Sequence, residues 1–140
     1  MRLDTQDHKA LVLWAADCAE HVLPSFEETY PTDTRPREAI DAGRAWVRGE
    51  IALSAARDAA FAAHAAARDA EQPASRAAAR AAGHAAATAH VAGHAAHAAT
   101  YALTATATPA KERDWQEQHL PTHLWPVAFP ARGRPEPTPG

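Results

Sequence analysis

The sequence predicts an all-α protein: a small Ala-rich bundle of about five to six helices followed by an irregular C-terminal tail. Three observations carry this. The chain holds 39 alanines among 140 residues, most of them between Ala39 and Ala107, and alanine is the strongest helix former. Apolar residues recur at helical spacing wherever the alanine run is interrupted. Only three Phe, two Tyr and one Met accompany the alanines, which argues against an all-β fold, and the lone cysteine argues against a disulfide scaffold. The length suits one domain, read here as residues 1–120, with a Pro-rich tail at 121–140.

The elements follow in order. Leu11, Trp14, Ala15, Cys18 and Val22 mark an amphipathic first helix from about Asp4 to Val22, stopped ahead of Pro24. Residues 23–35, with Pro24 and Pro31, read as irregular. A second helix starts near Pro36, with Asp33 or Thr34 as its cap, and stops at Arg48-Gly49-Glu50. The third runs from Ser54 to about Glu71, ending before Pro73. It sets Arg57, Phe61, His64 and Arg68 on one face.

A fourth helical region opens at Pro73-Ala74-Ser75 and reaches toward Thr108. Unbroken from Ala74 it would be about 52 Å long, against a radius of gyration near 14 Å for a compact chain of this size. A break at Val91-Ala92-Gly93 is therefore expected. A short helix around Lys111–His119 precedes the tail. Facing alanines let helices approach closely, and Trp14, Trp46, Phe61, Tyr101, Trp115 and Trp125 are expected to fill the remaining gaps.

Charge and composition exclude several function classes. With 14 Lys+Arg against 17 Asp+Glu and a net charge of −3, the chain lacks the basic face that nucleic-acid binding requires. The N-terminal residues carry no secretory pattern, and a single cysteine suits a reducing cytoplasm. Residues 81–110 contain no Asp, Glu, Lys or Arg, but they do contain His84, His90, His94 and His97. Four imidazoles are costly in a bilayer, so this segment reads as protein core, with no membrane partner.

Nine histidines stand out, five of them between His64 and His97. His64, His84, His90 and His94 form a candidate internal polar or ligand site. His64 and His84 share Ala-rich surroundings that suggest two helices facing each other. On a continuous helix His90, His94, His97 and Tyr101 would share one face, and His90, His94 and His97 are the candidate ligands for a divalent metal. Any further ligand would come from another helix, such as Glu50 or Asp58. No cofactor is otherwise expected. Asp33, Arg35, Arg37 and Glu50 form a candidate polar cluster at the start of the second helix, able to present arginine to a carboxylate or phosphate. Cys18 lies on an apolar face and reads as a core thiol. No Gly-rich phosphate loop, GxSxG elbow or close Cys–His pairing occurs, so no catalytic residue is assigned and the reading leans away from an enzyme.

An ordered series of motifs resembles a family of immunity proteins from bacterial polymorphic toxin systems. The series opens with Asp33-Thr34-Arg35-Pro36-Arg37-Glu38-Ala39-Ile40, then Arg44-Ala45-Trp46 and Gly49-Glu50-Ile51. It continues through Ala62-Ala63-His64-Ala65-Ala66-Ala67-Arg68 and from Ala78 to Val91. Tyr101-Ala102-Leu103, Glu112-Arg113-Asp114-Trp115-Gln116 and Leu120-Pro121 complete it. The similarity spans most of residues 1–127. It implies an all-helical cytoplasmic protein that binds and neutralises a cognate toxin, and it brings no catalytic residues. His97 and the Pro-rich tail after Pro126 lie outside the family pattern.

Two readings follow. In the first, the chain is a toxin-binding immunity protein whose acidic Glu27, Glu28 and Asp33 suit a basic target. In the second, it is a small helical enzyme or a metal or ligand binder using the histidine cluster. Homo-oligomerisation through the Ala-rich face is open to either.

Overall fold

The computed structural model describes residues 3–130, and every regular element among them is helical. Eight α-helices follow in order: α1 Thr5–Val22, α2 Pro24–Glu27, α3 Arg35–Val47, α4 Leu53–Asp69, α5 Pro73–Ala87, α6 His94–Ala105, α7 Pro109–Gln118 and α8 Trp125–Ala128. A 3-10 turn, Thr122–Leu124, precedes α8. The count exceeds the five to six expected because two four-residue helices, α2 and α8, fall in stretches whose sequence predicts irregular chain. Each begins with proline in its first turn, where the missing N–H costs nothing. Each is held by an aromatic side chain packed into the core, Phe26 at 1 % exposure and Phe129 at 5 %.

The longer boundaries have local causes. Asp4 caps α1, its carboxylate accepting the Asp7 N–H at 2.7 Å. Thr34 stands at the N-cap of α3 without a side-chain bond, and Asp33 instead accepts the Arg35 N–H at 3.1 Å. Gly49, at φ +75°, turns the chain after α3. The long Ala-rich region breaks between Thr88 and Gly93, around Val91-Ala92-Gly93, and resumes as α6. His8 of α1 reaches the end of α5, its Nε2 donating to the Thr88 carbonyl at 2.7 Å.

α5 is the axis of the bundle and packs against α4, α6, α3, α1 and α2. Its buried residues are Ser75, Gly83 and seven alanines. A helix with small side chains around most of its circumference admits close neighbours on every side. Larger groups seal the periphery: Leu11, Leu23, Ile40 and Leu124 are fully buried, and Trp14 meets Phe129 edge to face at 5.6 Å. Phe61 departs from the gap-filling role expected of it. It points outward from α4 and is 62 % exposed.

Leu124, Ala128 and Phe129 are buried against the bundle, so the chain remains packed past Pro121 and through Phe129. The tail prolines Pro135, Pro137 and Pro139 lie outside the described residues. No helix among the described residues is long and apolar enough to cross a membrane. Cys18 is buried in the main core, where desolvation pushes its thiol well above the ordinary range.

Candidate functional site: a histidine cleft between α4 and the α5–α6 turn

His64 projects from α4 toward His84 on α5, the rings meeting edge to face with centroids 4.8 Å apart. The approach depends on Gly83. A Cβ there would lie 2.6 Å from His64 Cε1 and 2.8 Å from both ring nitrogens. The first turn of α6 adds His94 and His97, centred 5.2 Å and 5.1 Å from His84. Tyr101, one turn further along, lies parallel to His84 at 5.4 Å. His84 Nδ1 and His94 Nδ1 are 3.0 Å apart, so one ring donates and the other accepts, fixing opposite tautomers.

Among the described residues no carboxylate contributes to this cluster, and its electrostatics follow from that. Burial is the largest influence holding His64 below the usual histidine range, reinforced by the positive charges of Arg80 and Arg68 and by His94. Burial pushes His84 down to about 3, with His64, His94, His97 and Arg80 adding to the effect. His94 is lowered by burial first, then by His97 and His90. His64, His84 and His94 are thereby held toward the neutral form, and the Nδ1 of His64 is buried without a hydrogen-bond partner among the described residues.

A cleft of about 170 Å³ opens beside the cluster, lined by Arg57, Phe61, His64, His90 and His94 over a floor of Ala60 and Ala87. The structure therefore gathers His64, His84 and His94, with His90 at the cleft wall. His90 does not share a face with His94 and His97. That alignment needed a continuous helix, and His90 lies in the turn between α5 and α6. Among the described residues, no three His, Cys, Asp or Glu side chains are grouped so as to hold a metal ion. A larger hollow of about 400 Å³ lies beyond His97, bordered by Thr100, Arg113 and Phe129, with the Arg113 guanidinium 4.5 Å above the Phe129 ring.

The charged residues at the start of α3 are divided among separate pairs. Arg35 grips Asp33 in bidentate fashion at 2.9 and 2.7 Å and reaches Asp69 at 3.0 Å. Arg37 makes its own bidentate pair with Glu27, both bonds 2.8 Å. Glu50 stands apart, paired with Arg48 at 2.9 Å on the exposed end of α3. It misses the cluster because α3 is 13 residues long, about 20 Å, which sets Glu50 beyond the helix end opposite Arg35 and Arg37. Arg35 and Arg37 hold the Asp33 and Glu27 carboxyls below their usual range. Two of the three acids expected to face a basic target thus already have internal cations, and Glu28 is the exposed one.

Gly83 is the part of the site whose role the residue pattern conceals, whereas the outward place of Phe61 follows from its sharing a face with Arg57 and Arg68. A lone glycine inside an alanine helix costs about 1 kcal/mol relative to alanine. That cost is the one sequence signal of the close approach at Gly83.

A family model described as "Imm-5 like putative immunity protein" matches residues 1–123. No curated protein and no solved structure matches the chain in the corresponding comparisons. The matched span runs from α1 through α7 and takes in the whole histidine cluster, and the chain belongs to this Imm-5 like family of immunity proteins.

Proposed function

We propose that this chain is an immunity protein that binds and neutralises a cognate bacterial toxin in the cytoplasm of the cell that makes both. The family match over residues 1–123 carries the reading. The surface supports it in a supplementary way. Phe61 is 62 % exposed beside the cleft, and exposed aromatic and arginine groups together are the usual anchors of protein–protein contacts. The internal pairing of Glu27 and Asp33 moves the preferred contact surface away from the acidic loop and toward α4.

Growth rescue tests the reading. Candidate toxin domains from the genes adjoining this one are each induced in a bacterial host with and without the chain. Survival that depends on the chain is the expected result. Equal killing in both strains, with the chain present and folded, would overturn it.

A further inference from the structure

Elsewhere among the described residues the folded chain supplies partners to most histidines and arginines, Arg76 on α5 being an exception. His21 donates to Glu112 at 2.6 Å and His123 to Asp7 at 2.9 Å. His8 and His119 each donate to a backbone carbonyl at 2.7 Å. Arg35, Arg37, Arg44 and Arg48 all reach carboxylates. The cleft between α4 and the α5–α6 turn breaks this pattern. His64 Nδ1 is buried and unpartnered. Arg57 on the rim, and Arg68 and Arg80 acting on His64 from α4 and α5, form no ion pair among the described residues.

A buried polar atom without a partner costs about 1–3 kcal/mol, and His64 Nδ1 bears that cost closed off beside Gly83. The donor that the cleft offers an incoming acceptor is therefore Arg57 on its rim, which forms no ion pair among the described residues. At about 170 Å³ the cleft is smaller than the ~300 Å³ at which small-molecule pockets begin. It has room for a side chain. Phe61, with 62 % of its surface exposed, stands at its edge, and Val91 of the α5–α6 turn is 49 % exposed.

We propose that this cleft is the docking point for the partner protein, receiving one of its Asp or Glu carboxylates between Arg57 and the rings of His64 and His94, with an apolar partner group covering Phe61. The partner's identity as a toxin rests on the immunity reading. The carboxylate site does not.

The titratable and charged groups around the site are His64, Arg57, Asp58 and Arg68 on α4, His84 and Arg80 on α5, His90 in the turn, and His94, His97 and Tyr101 on α6. A carboxylate seated there favours the charged imidazole, so binding draws a proton onto the cluster. Asp58 shares with Arg57 the hollow on the outer side of Phe61 and makes no ion pair among the described residues.

Two arms test this. In the first, ¹⁵N-labelled chain at pH 6.5 is titrated with sodium acetate, against sodium chloride at matched ionic strength, while the histidine ring nitrogens are followed by NMR. Saturable movement of the His64 and His94 signals toward the protonated form, in acetate only, is expected. No movement, or the same movement in chloride, would overturn the carboxylate site.

In the second arm a toxin domain whose killing the chain prevents is bound to wild type, Arg57→Glu, Phe61→Ala and, as a control beyond the far end of α4, Glu71→Ala. Both cleft positions are exposed, so the variants should fold, and melting curves check this. A loss of tenfold or more for Arg57→Glu and Phe61→Ala, with Glu71→Ala within twofold, is expected. Wild-type affinity in both cleft variants would overturn the docking point. Absence of any wild-type complex would count against the immunity reading, and the acetate arm would still decide the carboxylate site.

Discussion

The His64 ring rests on the backbone of Gly83, so close that a Cβ at position 83 would lie 2.6 Å from His64 Cε1. This contact joins α4 to the axial helix and sets the depth of the cleft. Two opposing effects meet in Gly83→Ala. Helix propensity favours alanine by about 1 kcal/mol, whereas overpacking costs roughly 1–3 kcal/mol. The expected outcome is a net loss of about 0–2 kcal/mol in denaturant unfolding, together with displacement of the His64 ring signals. A gain of about 1 kcal/mol with unmoved His64 signals, as for an unobstructed glycine, would contradict the contact.

Acid should weaken the fold through the cluster. His64, His84 and His94 all have folded-state values below the ordinary 6.5, so the unfolded chain binds more protons as pH falls through that value. Stability is then full above about pH 6.5 and declines below it, with His84 continuing to contribute down to about 3. The paired carboxyls of Glu20, Glu27 and Asp33 lie below their usual range, and their contribution is lost only at more acidic pH. Melting temperature at pH 5.0 should therefore be lower than at pH 7.5, and His84→Gln should flatten the difference. Equal melting temperatures at the two pH values would count against neutral, buried imidazoles.

Gln116 is fully buried where α7 meets the bundle. Its Nε2 donates to the Ala99 carbonyl at 3.0 Å, and its own backbone carbonyl accepts the Trp14 indole N–H at 3.0 Å. Gln116→Ala keeps the second bond, removes the first and opens a cavity, so a loss of about 2–4 kcal/mol is expected in urea unfolding. Its Oε1 has no partner, which places the cost toward the lower end of that range. A change under about 0.5 kcal/mol would show that α7 is not anchored through this residue.

The histidine arrangement also bears on metals. With no three donors grouped among the described residues, added zinc, nickel or copper should leave the melting temperature unchanged, and so should EDTA. A ligand bound only by the native state raises stability through mass action. A saturable upward shift with one of these metals, abolished by His94→Ala, would contradict the geometry described.

Much of the helical order was legible because its punctuation is local. Pro24, Pro73 and Pro109 mark boundaries by their missing N–H, and the break at Val91-Ala92-Gly93 followed from the length a rod would need. The four-residue helices α2 and α8 were not legible. Each is too short to show a period and is fixed by burial of Phe26 or Phe129 against distant helices.

Side-chain direction was the harder matter. On α4 Phe61 shares the face of Arg57, His64 and Arg68 and not that of the buried Ala56, Ala60, Ala63 and Ala67, so its exposure lay in the spacing, and the expectation that a large ring fills a gap among alanines ran against that signal. The proximity of His64 and His84 was suggested by their matching surroundings. The place of His90 depended on whether the helix continued, and the partners of Arg35 and Arg37 depended on Asp69 and Glu27, supplied across the fold.

Backbone hydrogen exchange of the chain, free and bound to a toxin domain that it neutralises, locates the contact surface directly. Docking at the histidine cleft predicts slowed exchange in α4 and the α5–α6 turn, with α2 and the start of α3 unchanged. Protection confined to the acidic segment around Glu27 and Glu28, with none at α4, would contradict it.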